Sequence, residues 1–540
     1  MPPLTQNCRL TGKPFTVSEW EQEFCARMGV PVPSLCPEER QRKRLAHRNE
    51  RSLYKRGCDL CKKVMIAIYP ESAPFPVYCS ECWWGDGWDP MDYGQAFDFS
   101  KPFFDQFKEV YFRVPRVGVL SRNGENSEYT NCEEGSKNCY LTFAGGYSED
   151  CSYCYLSISC RDCVDCSLIN HSELCYEGLE LDNCYHCFYL QNSQNCSDCV
   201  LGVDLVSCKN CFGCKGLRNK EFYIFNEPYS KETYEAKIAE LDPRSPEVQA
   251  QFSALCLSIP NKFAHLNNCE NCTGDYILNS QNCFNSFDIK NGKDLMYVYL
   301  GQDLKDAYDS NVIFIGTELI YNSHSICVNC FQVRCSNFSW NISFSDYCDF
   351  CHYSKNLFGC VALKRKEYCI LNKQYSKEEY EVLVPRIIEH MKQTGEWGEF
   401  FPYSVFAYNE TLAQEYFPLS KEEAVELGYQ WKEPVAQEFV AVPGAKTCET
   451  CRKVFKCIQK ELDFYKKMSL PEPQKCHDCR HKARMMGHNP RELWARQCMK
   501  CSRDIQSSTS PDRAEPVYCE KCYLALIYGN PRADLLFWAV

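Results

Sequence analysis

The sequence predicts a mainly β protein with small α+β zinc modules. Its centre reads as a parallel β-solenoid of 12-residue rungs in two blocks, flanked by duplicated treble-clef or zinc-ribbon-like modules. Three observations predict this: 42 of the 540 residues are cysteine, the first 82 residues recur near the C-terminal end, and cysteines in the middle stand at 12-residue intervals. Hydrophobic residues reach 45% and aromatics 14%, which excludes general disorder. The longest clean apolar stretch, Val64–Tyr69, falls far short of the ~20 residues of a membrane span, so no membrane partner is expected. The start, MPPLTQNCRL, has no apolar signal region. A cytoplasmic protein with reduced thiols is therefore expected, which favours metal ligation and small-residue packing over disulfides.

The terminal modules come first. A shift of 440 residues lays Cys8, Cys36, Cys58, Cys61, Cys79 and Cys82 on Cys448, Cys476, Cys498, Cys501, Cys519 and Cys522 without a gap, and 22 of the 75 aligned positions are identical. This is an internal duplication. The C-terminal copy holds four Cys-x-x-Cys pairs, Cys448/Cys451, Cys476/Cys479, Cys498/Cys501 and Cys519/Cys522. Each pair chelates one edge of a tetrahedron and the chain returns to close the other, so consecutive pairs predict two Cys₄ zinc sites. Cys58, Cys61, Cys79 and Cys82 predict a third, giving about three Zn²⁺ per chain with four thiolates per ion. A fourth site is lost, because Thr11 and Glu39 stand where the other copy has Cys451 and Cys479. Cys25 does not rescue it, since its counterpart is Tyr465.

Charge is segregated. Residues 1–82 carry +4 and residues 444–522 carry +7, against −22 in 83–443. The basic stretches RQRKRLAHRNERSLYKR (40–56) and RHKARMMGHNPRELWAR (480–496) share Arg40, Arg44, Arg51 and Arg56 with Arg480, Arg484, Arg491 and Arg496. On zinc-pinned helices these arginines are candidates to contact phosphates, with Tyr54 and Trp494 stacking on bases. The alternative is a solvated face whose arginine stems pack on the module.

In the middle, Cys139, Cys151, Cys163, Cys175, Cys187, Cys199 and Cys211 form one column, with Asp or Asn commonly one step before and Ser or Cys three steps before. Small side chains recurring at a short period mean stacked turns, each rising about 4.8 Å. Buried Cys acts as a small hydrophobe, and Asp or Asn suits corners. The Cys-x-x-Cys pairs of this region follow from adjacent inward columns, with additional Zn or an Fe–S cluster as the alternative. A second block keeps the period at Cys283, Leu295, Ala307 and Leu319, then slips through Cys327, Cys330, Cys348 and Cys351. Both blocks end in related cassettes (213–235 and 359–381), with Ser230 and Ser376 as helix N-caps and Glu379 completing a capping box. Aromatic joints at 83–104 and 400–431 are expected to dock modules onto solenoid ends.

The predicted order is a zinc module pair at 1–82, an aromatic joint at 83–125, solenoid block 1 at 126–226 and a helical connector at 227–265. Solenoid block 2 follows at 266–372, then a helical cap and joint at 373–443, the second module pair at 444–525 and a tail at 526–540. No phosphate loop, nucleophile elbow or His-Glu-x-x-His is present, and the solenoid histidines share no column. The expectation is a non-enzymatic zinc scaffold whose basic modules bind RNA, DNA or a nucleoprotein particle. The alternatives are a protein-assembly scaffold docking partners on the acidic solenoid, and a thiol-redox or carbohydrate-acting enzyme.

The segments LCPEERQRKRLAHRNERSLYKRGCDLC (35–61), YCSECWWGDGWDPMDYGQAFDFSKPFF (78–104), the NKEFYIFN…YSKE cassettes and FAYNET (406–411) resemble an uncharacterised Cys-rich zinc-ribbon and solenoid protein family of small-genome bacteria and large viruses. The resemblance spans nearly the whole chain and implies zinc modules around a solenoid. It implies no particular activity.

Overall fold

In the computed structural model, which describes residues 2–433 and 444–528, the middle of the chain is a parallel β-solenoid of about 18 turns with 12-residue spacing. From Cys132 to Phe225 every third residue has a left-handed backbone, with φ between 46° and 71°. Two extended residues followed by one left-handed residue make a corner, and four such triplets close one turn. The conformation is costly for most L-residues and least so for Asn, Asp and Gly. This is why Asn138, Asp150, Asp162, Asp198 and Asn210 occupy one column. The residue after each corner points inward.

In block 1 the inward positions are filled by 14 buried cysteines with Ile169, Leu181, Leu190 and Leu205. Each thiol also reaches carbonyls on the inner wall: Cys163 Sγ lies 3.3 Å from the Arg161 carbonyl and 3.4 Å from the Ser172 carbonyl. Inward serines repeat this, as Ser148 Oγ donates to the carbonyls of Gly146 and Ser157. The two residue types are interchangeable here because both are small and both carry a donor.

Block 2 has the same coil with a more aliphatic filling, including Ile277, Ile289, Leu295, Ile313, Ile320 and Leu357. The slip read in its sequence is a change of turn length. Leu266 pairs with Ile277, Asn311 with His324 and Glu318 with Phe331, so single turns shorten to 11 or lengthen to 13 residues. The added residues lie at corners, where Ile315 and Gly316, and later Val328 and Asn329, are left-handed in succession. Block 1 closes with the antiparallel pair of Glu221–Ile224 and Glu227–Pro228, and block 2 with that of Glu367–Ile370 and Lys373–Gln374. Ser230 and Ser376 cap the helices that follow, the latter through the expected box with Glu379.

The described residues fall into two compact units. One gathers those of Met1–Gly118, Ala264–Lys432 and Arg491–Leu493; the other gathers those of Val119–Phe263, Glu433–Pro490 and Trp494–Val540. The pairing is crossed: the N-terminal modules share a unit with block 2, and the C-terminal modules share a unit with block 1. The joints also differ from expectation. Residues around Pro90–Phe107 do cover the end of block 2, where Asn372 Nδ2 donates to the Pro90 carbonyl and Phe103 packs on Tyr347 and Phe358. The segment 406–431 instead packs Tyr408, Leu412, Ala413 and Ala424 on Leu45 and Ala46 of the N-terminal module. The part of this joint at 434–443 and the tail beyond residue 528 lie outside the described residues.

Candidate metal centres

Four modules share one local construction. A β-hairpin supplies the first Cys-x-x-Cys position at its turn, and a helix start supplies the second. The hairpins are Leu4–Asn7 with Pro14–Val17, Tyr54–Gly57 with Val64–Ala67, Lys446–Thr447 with Val454–Phe455, and Trp494–Gln497 with Asp504–Ser507. In each turn the first cysteine's N–H bonds a carbonyl five residues on, at 2.8–2.9 Å. Gly12, Lys62, Arg452 and Ser502 take the left-handed conformation that turns the chain back. The third cysteine position is the N-cap of the helices Pro37–Leu45, Ser80–Trp84, His477–Met485 and Glu520–Ile527.

Three of these modules bring four thiols together. In Cys58/Cys61/Cys79/Cys82, Cys448/Cys451/Cys476/Cys479 and Cys498/Cys501/Cys519/Cys522, all four sulfurs lie within 4.8 Å of one another. Across each set Cys61 lies 3.8 Å from Cys79, Cys451 3.6 Å from Cys476 and Cys501 3.7 Å from Cys519. A tetrahedron with metal–sulfur bonds of about 2.3 Å has edges of about 3.8 Å, so the spacing fits a tetrahedral thiolate site. Each cluster is therefore able to hold a metal ion. No three thiols inside the solenoid come so close among the described residues.

The electrostatics are asymmetric in a way that suits a cation. Burial works against ionisation of Cys58, but N–H groups of Cys79, Cys61 and Leu60 outweigh it and bring the thiol down to about 7. Cys448 and Cys498 are brought down to about 6 by the same opposition of burial and backbone donors. The Cys79 N–H to Cys58 Sγ bond is 3.2 Å and that from Cys476 N–H to Cys448 Sγ is 3.3 Å. Later ligands run the other way: Cys82 is pushed up to about 12, foremost by Cys79. Four thiols without a central positive charge cannot all ionise, and a divalent ion removes that conflict.

In the first module Cys8 and Cys36 remain side by side, but Glu39 is turned to Arg42, with which it forms an ion pair, and no quartet forms. Cys25 sits in the core of the module, pushed up to about 12 by burial.

The helix arginines need correction. Arg40 and Arg44 are buried, not presented to solvent. Arg40 Nε is 2.7 Å from Asp309, and Arg44 reaches Asp309 at 3.6 Å and Asn311 at 2.7 Å. The second copy repeats this: Arg480 Nε is 2.8 Å from Asp165, and Arg484 is 3.0 Å from the same carboxylate. Arg56 is buried against the Pro70 carbonyl and Asp59. Arg491 pairs with Asp288 at 2.8 Å over the Tyr416 ring, and Arg496 donates to the carbonyls of Thr509 and Ser510. Arg51 is half-buried. Tyr54 is engaged by Glu410 and by Lys432, which lies over its ring. Arg40, Arg44, Arg480, Arg484 and Arg491 fasten the modules because a buried guanidinium requires a carboxylate partner, and the solenoid supplies one at a corner, whereas Arg56 and Arg496 bond groups of their own modules. Sequence reading missed Asp165 and Asp309. No spacing in the sequence marks them, because the helical connector and the 11-residue turn between the two blocks break the 12-residue register that would relate them.

No helix among the described residues is long and apolar enough to cross a membrane. No protein-family model matches the chain, and no curated protein does. A crystal structure of a proposed acetyltransferase from Desulfovibrio desulfuricans G20 shares 9% identity over 51% of this chain and 79% of that one. Its TM-score is 0.10, a similarity that carries no argument about fold or activity.

Proposed function

We propose that the protein is a non-enzymatic scaffold stabilised by about three Zn²⁺ ions, one in each thiolate quartet, in keeping with the zinc-module and solenoid family it resembles. The observation that carries this reading is the set of four sulfurs within 4.8 Å in three modules built alike. All-sulfur tetrahedral sites favour Zn²⁺ or iron, and a closed four-ligand set suits a structural ion rather than a catalytic one. Elemental analysis of the purified chain tests it, with zinc near three equivalents as the supporting result and iron, or no metal, as the refuting one.

The proposed partner is RNA, DNA or a nucleoprotein particle, and burial of the helix arginines moves the contact to the hairpin turns. Lys62 and Lys63 follow Cys61, Arg452 and Lys453 follow Cys451, and Lys500 and Arg503 flank Cys501; all six are exposed. Cations at the tips of rigid metal-held turns suit phosphate contacts that do not read sequence. The test is binding of the full chain to a single-stranded RNA and a DNA duplex across a salt series. Replacing Arg452, Lys453, Lys500 and Arg503 with Glu is expected to weaken binding and flatten its salt dependence. Unchanged binding refutes this surface.

A further inference from the structure

In all four modules the residue that immediately follows the fourth ligand position is buried against the solenoid. Arg40 follows Glu39, Trp83 follows Cys82, Arg480 follows Cys479 and Tyr523 follows Cys522. Their partners differ but their role does not. Arg40 and Arg480 pair with the corner carboxylates Asp309 and Asp165. Trp83 lies beneath Lys364, whose Nζ is 3.8 Å from the ring centroid and donates to the Trp83 carbonyl. The Tyr523 hydroxyl donates to Asp204.

A second observation concerns how these helices begin. The N-caps Cys36, Cys79, Cys476 and Cys519 bring no oxygen to cap their helices, so each first turn is held by the weaker approach of a thiol to the N–H three residues on. In three modules two ligands stand in that turn, at the N-cap and three residues on, and a bound ion would lock both. The module without a quartet has other means. Pro37 opens its helix with a preset φ, and the Glu39–Arg42 ion pair ties the first turn to the second.

We infer that metal occupancy of each quartet controls docking of its module on the solenoid, with Trp83, Arg480 and Tyr523 as the positioning residues, and that the first module docks through Arg40 without metal. This rests on the metal reading above and adds its consequence: removing the ion frees the first turn of the helix, and the anchor leaves its partner.

The test is hydroxyl-radical footprinting of the full-length holoprotein before and after chelation, read by mass spectrometry, with metal content measured on the same samples. Tyr153 and Tyr176 are covered by Phe464 and Tyr465 of a quartet-bearing module, whereas Tyr308 packs under Phe24 of the module without a quartet. Chelation is expected to raise oxidation of Tyr153 and Tyr176 about tenfold and to leave Tyr308 unchanged. Arg480→Gln is expected to raise Tyr153 oxidation while zinc content stays the same, which separates anchoring from metal binding. Metal lost without exposure of Tyr153, or Tyr308 exposed equally, overturns the inference and leaves the metal reading standing. A purified chain without metal overturns the reading itself, and elemental content shows this before any footprint is taken.

Discussion

Residues 8–45 and 448–485 are two copies of one module, and only the second keeps four cysteines. The hairpin turn, the helix start and the buried arginine pair are the same in both. Even the supporting carboxylate recurs: Glu21 accepts from the Tyr308 hydroxyl at 2.7 Å, and Glu461 from that of Tyr153 at 2.8 Å. The comparison teaches that the fold of the module and its grip on the solenoid are separable from a complete cysteine quartet.

The largest test of that comparison is metal removal. Structural zinc sites contribute roughly 10–16 kcal/mol of apparent binding free energy in small peptides, so chelation is expected to unfold 444–528 and spare 19–45. Hydrogen exchange resolved by peptide checks this, and equal loss of protection in both copies breaks the comparison. Next in size are the corner carboxylates. Asp165→Ala removes the carboxylate that Arg480 and Arg484 share and leaves them Glu461 and Glu177, and Asp309→Ala does the same to Arg40, which keeps Glu21, and to Arg44, which keeps the Asn311 and Asn322 amides. Each is expected to cost about 3–5 kcal/mol, confined to its own unit, by denaturant unfolding followed with unit-specific probes.

The comparison extends to the blocks. Block 1 contains an inward Glu133, which burial pushes up to about 7 against hydrogen bonds from Ser136, Gly145 and Thr142. A carboxyl with a raised folded pKa binds more protons folded than unfolded between its two pKa values, so its contribution to stability falls as pH rises from about 4.5 to about 7. Glu133→Gln is expected to match the native protein at pH 4 and exceed it by about 3 kcal/mol at pH 8. A difference that does not grow with pH contradicts the assignment. The smallest effect belongs to the thiol column: Cys163→Ala should cost about 1 kcal/mol, whereas Leu295→Ala at an inward site of block 2 should cost about 2–5 kcal/mol. Equal losses would mean that the thiols do more than fill space.

Much of this was legible in the residues. The 12-residue column, the twofold recurrence of the modules and the missing ligands at Thr11 and Glu39 are visible because stacking and chelation each impose a fixed spacing. The threefold period beneath the 12-residue one was not read, although Asn279, Asn282, Asn285 and Asn291 display it, because Leu, Tyr and Phe also occupy left-handed corners where packing overrides their local preference. The arginines were misread because a basic helix looks alike whether it meets phosphate or a buried carboxylate. The deciding partner, Asp165 or Asp309, lies hundreds of residues away in the chain.

Metal quantification on the purified full-length chain tests the central claim most directly. The account predicts zinc at about three equivalents, falling to about two in Cys61→Ser, Cys451→Ser or Cys501→Ser taken singly, and unchanged in Cys8→Ser. Four equivalents, iron in place of zinc, or a loss of metal in Cys8→Ser would contradict it.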